Sequence, residues 1–206
     1  MIFGVDYSLS CPCICKLADD ATFANSSFKF LSGRKRDISA PKSNIQVELH
    51  KEYKTEEERY DHISNTIIQF IQNNSLEYQQ DEKWKKFDLE GIWIPSSNVT
   101  VYIEGYAMGS KGRVFNIAEC TGLFKFKVHQ MGWELITVPP TVIKKFATGK
   151  GNADKNMMYK AFLERNKNVD LVKSYFDREC SKIGSPVSDI VDSYYIALYS
   201  LYSLYK

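Results

Sequence analysis

The chain has 206 residues, 44% of them hydrophobic and 14% aromatic, which is enough apolar material to build one sizeable core. Its 27 Lys and Arg residues nearly balance its 25 Asp and Glu residues, so the net charge of +2 neither requires nor excludes a polyanionic partner. Because no stretch of roughly eighteen apolar residues occurs and an acid interrupts the N-terminal segment at Asp6, we expect neither a membrane span nor a secretory signal.

The cysteines indicate a reducing compartment. They number five, an odd count, and three of them crowd into residues 11–15, so no paired disulfide framework is indicated. The Cys11-Pro-Cys-Ile-Cys spacing lacks the second ligand pair of a zinc site and favours small buried strand residues. We therefore expect an intracellular, cytoplasmic protein. Its richness in Lys, Asn, Tyr and Ile also fits an AT-rich viral genome, and action in an organelle is a further option.

The first elements along the chain are predicted strands. Residues 2–7 form one buried strand and residues 13–17 a second, and the short turn between them predicts an antiparallel hairpin. Residues 28–31 are a third candidate strand. Residues 32–54 carry few apolar side chains in register and are predicted to be a loop.

A helix is predicted from Thr55 onward. Tyr60, Ile63, Ile67 and Phe70 recur at helical spacing behind an acidic first turn, which suits the helix dipole. The polar residues 73–95 indicate a connection or an insertion. The stretch 99–104 then has the β-branched composition of a strand.

The second half of the chain alternates helices and strands. Residues 114–128 predict a helix and residues 134–138 a strand that Pro139-Pro140 would stop, so a right-handed parallel crossover is expected. Helices are predicted over 152–165, with Asn152 as N-cap, and over 187–205. The tyrosines of the last helix are expected in the core or at an interface, and not as a stacking platform for nucleotides.

Four acidic residues stand where a carboxylate is costly. Asp6 lies in an apolar strand and Glu104 ends another, whereas Asp189 and Asp192 share one face of the last helix among apolar neighbours. A charge in such a setting costs on the order of several kcal/mol unless something pairs with it. Taken singly, each acid could be solvated or could stabilise a helix dipole. Together they indicate carboxylates aimed at one point.

Carboxylates without His or Cys are the ligand set of a hard divalent cation. Mg²⁺ prefers such oxygen donors, and Mn²⁺ is a substitute for it. Two such ions about 4 Å apart can activate a water and stabilise the leaving oxygen of a phosphodiester. The pattern therefore predicts a metal-binding and catalytic set of four acids, namely Asp6, Glu104, Asp189 and Asp192.

A basic, glycine-containing loop precedes the predicted helix at Asn152. A helix N-terminus offers N–H groups and a positive dipole end to a phosphate. Lysines around the loop add positive charge at four positions: Lys144, Lys145, Lys150 and Lys155. An ordinary loop with solvated lysines is the alternative interpretation.

Four segments, in this order, resemble the RuvC family of Holliday junction resolvases: Gly4-Val5-Asp6-Tyr7-Ser8-Leu9, Tyr102-Ile103-Glu104, Gly149-Lys150-Gly151-Asn152-Ala153-Asp154-Lys155 and Asp189-Ile190-Val191-Asp192-Ser193. The resemblance covers the first hairpin and roughly residues 99–198. It implies a ribonuclease H-like α/β fold, with a mixed five-stranded sheet flanked by helices, whose first hairpin is antiparallel and whose later strands are parallel. Residues 1–206 would form a single nuclease domain with an enlarged insertion around 32–98.

The resemblance also implies a function. Members of the family are homodimers that use Mg²⁺ to make paired nicks in four-way DNA junctions during recombination and repair. The four acids match the family's catalytic carboxylates, and Lys144 and Lys155 match its basic residues, so that Lys155 is expected to steady the phosphate charge. Branched DNA and a second copy of the chain are thus the expected partners.

Further DNA contacts are implied beyond Glu104. Many relatives place an aromatic wedge there, for which Tyr106 is the nearest aromatic residue and Ala107 the other matching position. Lys111 and Arg113 could hold backbone phosphates or could form a solvated helix start. Tyr7 stands where the family usually has proline, so the turn beside the metals is expected to differ.

Rival functions stay open. An actin-like kinase would need a second Gly-rich phosphate loop, which we do not find in the sequence. Another ribonuclease H-like nuclease, acting on RNA–DNA hybrid, flap or linear DNA, would keep the same four acids. A non-catalytic DNA-structure-binding protein would gain nothing from acids turned toward phosphates.

Overall fold

The computed structural model describes residues 1–34, 44–77, 94–95, 98–106, 114–167, 169–175 and 182–203, with 76–77, 94–95 and 174–175 described by their backbone alone. The strands are β1 (Ile2–Asp6), β2 (Cys13–Lys16), β3 (Ser27–Ser32), β4 (Ile45–Leu49), β5 (Leu76–Glu77), β6 (Ile94–Pro95), β7 (Thr100–Glu104) and β8 (Glu134–Val138). The helices are α1 (Glu56–Ser75), α2 (Val114–Gln130), α3 (Pro140–Thr148), α4 (Lys155–Arg165) and α5 (Val187–Ser203), with a π-helical turn at Leu171–Tyr175.

A mixed six-stranded sheet lies at the centre, in the order β4-β3-β2-β1-β7-β8. β1, β2 and β3 are antiparallel neighbours, which confirms the predicted hairpin. β7 runs parallel to β1, and β8 runs parallel to β7, as the strand–helix–strand pattern predicted. β5 and β6 pair with each other outside this sheet.

The prediction of five strands, with a loop over residues 32–54, is wrong at β4. Ile45, Val47 and Leu49 alternate with polar residues, and this strand pairs in parallel with β3 at the edge of the sheet. Three apolar residues make a weak periodic signal, so the pairing with β3 decides the structure here.

Helices cover both faces of the sheet. α1 and α2 pack over one face, where Phe3, Val5 and Val101 are fully buried. On the other face, α3, α4 and α5 pack against a cluster that contains Phe28 and Phe30. Full burial of a side chain of this size stabilises a fold by about 1.5–3 kcal/mol, so both faces contribute to the core.

Gly4 sets the distance between β1 and α5. It faces away from the cluster around Phe3 and Val5, and a Cβ at this position would overlap the backbone of Ser193 and Ala197. Because glycine has no Cβ, α5 can lie directly against the central strand. This close approach brings the first turns of α5 toward the end of β1.

Two helices differ from the prediction between β8 and α5. Pro139-Pro140 ends the strand, as expected, but α3 begins at Pro140, because a proline at the first helical position loses no hydrogen bond. α4 begins at Lys155 and not at Asn152. Its N-cap is Asp154, whose carboxylate accepts the backbone N–H of Met157 at 2.8 Å.

Expectations drawn from composition can be checked in the described residues. Cys11, Cys13 and Cys15 are free and buried, as predicted, and Cys120 is also free and buried, whereas Cys180 lies outside the described part of the chain. Among the helices described, none is both long and apolar enough to cross a membrane.

Candidate active site

The two strand acids lie at one edge of the sheet. Asp6 ends β1 and Glu104 ends β7, and the two parallel strands are in register, with Val5 opposite Ile103. Since the C-terminal ends of parallel neighbours meet at the same edge, both carboxylates face a common space. They line one cavity of about 220 Å³ together with Tyr7.

The two acids of α5 reach the same place from the helical layer. Asp189 is 9% exposed in the first turn of α5, and Asp192 follows one turn later. Asp6 interacts electrostatically with both of them, and Asp192 interacts in turn with Glu104. The structure thus brings the four predicted acids together in one electrostatic cluster, called the acidic site below.

The acidic site holds more negative charge than its surroundings neutralise. Burial, followed by repulsion from Asp189 and Asp192, raises the pKa of Asp6 well above its ordinary value. Burial and repulsion from Glu104 and Asp189 raise the pKa of Asp192 to about 7. Burial also raises the pKa of Glu104. Carboxylates crowded in this way are stabilised by protons or by a cation.

Two lysines supply positive charge to the acidic site. Lys144 of α3 interacts with Glu104 and Asp192, and Lys155 of α4 interacts with Asp6 and Asp192. Each lysine lowers the pKa of the acids that it faces, but burial and mutual repulsion outweigh this effect. The structure therefore places Lys144 and Lys155 beside the acids.

Two serines that the sequence did not single out hold Asp189. Lys155 Nζ donates to Ser188 Oγ at 3.0 Å, and Ser188 Oγ donates to Asp189 Oδ1 at 3.2 Å. Ser185 Oγ donates to the other carboxylate oxygen of Asp189. The available signal was their place in the run Ser-Pro-Val-Ser-Asp, which supplies hydroxyls on both sides of the carboxylate.

The donors of the acidic site suit a hard divalent cation. All four groups are carboxylates, and their mutual repulsion would be relieved by positive charge. Within the described part of the chain, no three acidic, histidine or cysteine side chains stand close enough together to make a complete metal-ligand group. The carboxylate donors and the unbalanced negative charge of the acidic site fit Mg²⁺ or Mn²⁺, although the four side chains do not lie close enough together to form a coordination shell.

The other predicted DNA-binding residues do not form a single cluster in the structure. Tyr106 lines the cavity beside Glu104, is 46% exposed, and has Lys125 Nζ 5.4 Å from its ring centre. Lys145 lines a different cleft, between α3 and α5, and Lys150 is exposed in the loop after α3. Three predicted positions lie outside the described residues: Ala107, Lys111 and Arg113.

The helix predicted to start at Asn152, with a phosphate site at its N-terminus, starts later in the structure. The helix begins at Lys155, and the carboxylate of Asp154 already accepts an N–H of its first turn. A carboxylate at that end repels a phosphate, which weakens the case for a phosphate held by this helix N-terminus alone.

His50 and His62 belong to a second polar cluster. His50 Nδ1 lies 2.8 Å from Tyr53 Oη, which lies 2.7 Å from His62 Nδ1. His62 Nε2 lies 3.1 Å from Glu48 Oε1, and Lys29 Nζ lies 2.7 Å from Glu48 Oε2. These five residues, called the Glu48 network, connect β3, β4 and α1 and include none of the four site acids.

Comparison with known proteins finds similarity in structure only. No protein-family model matches the chain, and no curated protein matches it significantly. The structure of RuvC from Thermus thermophilus is similar over 100% of this chain and 96% of its own, with 15% identity and a TM-score of 0.52. Two others are T. thermophilus RuvC in complex with Holliday junction substrate (11% identity, 100% and 96% covered, TM-score 0.49) and the yeast mitochondrial Holliday junction resolvase (14% identity, 95% and 75% covered, TM-score 0.42). The first likeness shows that the chain has the RuvC-type, ribonuclease H-like fold, which confirms the predicted fold class.

Proposed function

We propose that the protein is a Mg²⁺-dependent, structure-selective endonuclease that resolves four-way DNA junctions by paired phosphodiester hydrolysis. The observation that carries the proposal is the acidic site, where carboxylates from β1, β7 and α5 crowd together so that the pKa values of Asp6 and Asp192 rise. The RuvC-type fold supports it. Such an enzyme would act in DNA recombination and repair inside a cell or an organelle.

Four residues would hold the cation: Asp6, Glu104, Asp189 and Asp192. Mn²⁺ would substitute for Mg²⁺, because it accepts the same oxygen donors. A bound divalent cation supplies positive charge that activates a water and neutralises the charge on a phosphodiester under attack. Burial is the main cause of the raised pKa values and repulsion between the carboxylates adds to it, and a bound cation would relieve that repulsion.

The lysines would act on the DNA phosphate. Lys155 and Lys144 face the acids, and a phosphate brought to the acidic site would give each ammonium a second negative partner. Ser188, which bonds to both Lys155 and Asp189, would keep the two groups in fixed relation. Further DNA contacts are proposed for the exposed Tyr106, Lys145 and Lys150 and for Lys111 and Arg113, which lie outside the described residues.

Paired nicking would use a homodimer, and α2 offers a suitable face. Phe115 is 82% exposed and Phe126 is 56% exposed, although both are large and apolar. They are about three helical turns apart and share one face with Gly122, which leaves open space for close approach. Sedimentation is expected to show a dimer that Phe126→Glu dissociates. A monomeric wild-type protein at working concentration would count against this part of the proposal.

Cleavage of synthetic substrates tests the proposed function. Purified protein is incubated with Mg²⁺ and a four-way junction, a three-way junction, a flap, a linear duplex and an RNA–DNA hybrid. The four-way junction is expected to be cut in two symmetry-related strands, and Asp6→Asn and Glu104→Gln are expected to abolish cutting. Glu48→Gln, which changes a carboxylate outside the acidic site, is the matched control.

The outcomes separate the rival functions. Equal cutting of linear duplex and junction would reject selectivity for branches, and preferential cutting of the hybrid or the flap would indicate another ribonuclease H-like nuclease. Tight junction binding without cutting in either metal would indicate a non-catalytic DNA-structure-binding protein. Unchanged activity in the Asp6 and Glu104 variants would reject the acidic site as the catalytic centre.

A further inference from the structure

A second cavity lies between α3 and the C-terminal half of α5. It measures about 590 Å³, which falls within the range of roughly 300–1,000 Å³ typical of small-molecule pockets. Phe146 of α3 and two tyrosines of α5, Tyr199 and Tyr202, form its aromatic wall. None of the four site acids lines it. It is called the aromatic cleft below.

The aromatic wall offers ring faces in several orientations. The ring centre of Phe146 lies 5.5 Å from that of Tyr199 and 5.4 Å from that of Tyr202, and the two tyrosine rings are 5.9 Å apart. Tyr202 is 44% exposed at the mouth of the cleft. Planar rings of this kind bind nucleobases by stacking, whatever the base, because every base has a π-face.

The charge of the aromatic cleft suits an anion. Lys145 lines it, and no acidic side chain does so in the described part of the chain. Two glycines of the lining, Gly149 and Gly151, add no side chain that would fill the space, and Gly149 has the positive φ of 78° that ends α3. An aromatic wall next to a lysine is the combination that binds a base together with its phosphate.

The aromatic cleft lies one helix away from the acidic site. Lys144 interacts with Glu104 and Asp192, whereas the next residue, Lys145, lines the cleft. Successive side chains on a helix are about 100° apart, so α3 presents one lysine to each side. A helix is about 10 Å wide and DNA rises about 3.4 Å per nucleotide of one strand, so a strand held at the acidic site can extend into the cleft within a few nucleotides.

We propose that the aromatic cleft binds an unpaired nucleobase of the DNA strand held at the acidic site. The base stacks on Tyr202, and Lys145 pairs with a neighbouring phosphate. The inference rests on the proposed nuclease function and deepens it, because it assigns a preference for substrates with an unpaired base near the scissile phosphate. A fully paired duplex has no base to place there.

Binding in EDTA tests this proposal without cleavage. The probes are a fluorescein-labelled oligothymidylate and an oligomer of the same length that carries abasic sites throughout, each measured by fluorescence anisotropy. Wild-type protein is expected to bind the oligothymidylate more tightly. Tyr202→Ala is expected to weaken that binding roughly fivefold or more and to leave abasic binding unchanged, whereas Tyr202→Phe, which keeps the ring, is expected to bind like wild type.

Lys145→Gln separates the phosphate contact from stacking. It is expected to weaken binding of both oligomers alike and to reduce the salt dependence, and Lys160→Gln, at an exposed lysine of α4, is the control for loss of one charge. Equal binding of both oligomers by wild type, or no effect of Tyr202→Ala, would overturn the proposal. So would a Tyr202→Ala protein that loses self-association, since a second copy would then be the occupant of the cleft. Junction cleavage is measured separately, so either proposal can fail alone.

Discussion

The acidic site and the Glu48 network place carboxylates in partly buried positions, but with opposite electrostatic results. In the Glu48 network, burial raises the pKa of Glu48, yet the hydrogen bonds and charges of Lys29 and His62 outweigh burial and leave that pKa below its ordinary value. In the acidic site, burial and neighbouring carboxylates act in the same direction and raise the pKa of Asp6.

The difference separates a structural polar cluster from a binding site. Glu48 has its basic partners within the fold, at 2.7 Å from Lys29 and 3.1 Å from His62. Asp6 and Asp192 have too little positive charge around them, even with Lys155 nearby. Charge left unbalanced by a fold is a mark of a binding site, and the ligand proposed here is a cation.

The largest expected contrast between the two regions is in activity. Asp192→Asn is expected to lower the single-turnover rate of junction cleavage roughly 1,000-fold, about 4 kcal/mol of activation free energy, because one cation ligand is lost. Glu48→Gln is expected to keep the rate within about threefold of wild type, under 1 kcal/mol. Similar losses of cleavage rate in both variants would contradict the distinction between the acidic site and the Glu48 network.

The pH dependence of stability provides the next contrast. The pKa of Asp192 is about 7 in the folded protein and near 3.9 in an unfolded chain, so its contribution is complete below about pH 4 and is lost as the pH rises through 7. The free energy of unfolding in EDTA should therefore fall between these values. A decrease of about 2 kcal/mol is expected after allowance for partial exposure.

Urea unfolding at about pH 5 and about pH 8 measures most of this decrease. Asp192→Asn is expected to reduce it, whereas Glu48→Gln is expected to leave it in place, because the pKa of Glu48 is lowered and its titration lies at more acidic pH. A wild-type profile that rises over this interval, or an unchanged decrease in Asp192→Asn, would contradict the charge imbalance.

The same two variants should change stability in opposite directions. At about pH 8 in EDTA, Asp192→Asn is expected to raise the free energy of unfolding by about 1–2 kcal/mol, since it removes repulsion within the acidic site. Glu48→Gln is expected to lower it by about 1 kcal/mol, because Lys29 and His62 lose a charged partner that is partly exposed. If denaturant unfolding showed that both substitutions change the free energy of unfolding in the same direction, the acidic site and the Glu48 network would not differ in their charge balance.

The smallest effect concerns the hydrogen bonds behind the acids. Ser188→Ala is expected to weaken Mn²⁺ binding by about tenfold, because Asp189 and Lys155 lose the hydroxyl that links them. Ser188→Thr keeps a hydroxyl and is expected to restore the affinity. A purely structural role would instead lower the melting temperature and leave the Mn²⁺ affinity unchanged.

Most of the sheet could be predicted from sequence because its signals are local. β1 and β7 are short apolar runs that end in an acid, and α1 repeats isoleucines at helical spacing. β4 and α3 escaped prediction for different reasons. β4 depends on its pairing with β3, which local sequence does not show. α3 begins at Pro140, and the prediction used this proline only as the end of a strand, although proline also suits the first position of a helix.

The acidic site was predictable in composition but not in detail. Asp6 and Glu104 are conspicuous because they interrupt or end apolar strands. The contact between Lys155 and Ser188 joins residues 33 positions apart and depends on how α4 meets α5, for which local sequence carries no signal. The same holds for the aromatic cleft, since Phe146 and Tyr202 come together only through the packing of α3 on α5.

The central claim, that the four acids bind a divalent cation, is tested most directly by titrating Mn²⁺ into the metal-free protein in a calorimeter. Wild-type protein and Glu48→Gln are expected to bind Mn²⁺ alike, and Asp6→Asn is expected to bind it at least about tenfold more weakly. Mn²⁺ binding by Asp6→Asn with wild-type affinity, or no binding by the wild-type protein, would contradict the claim.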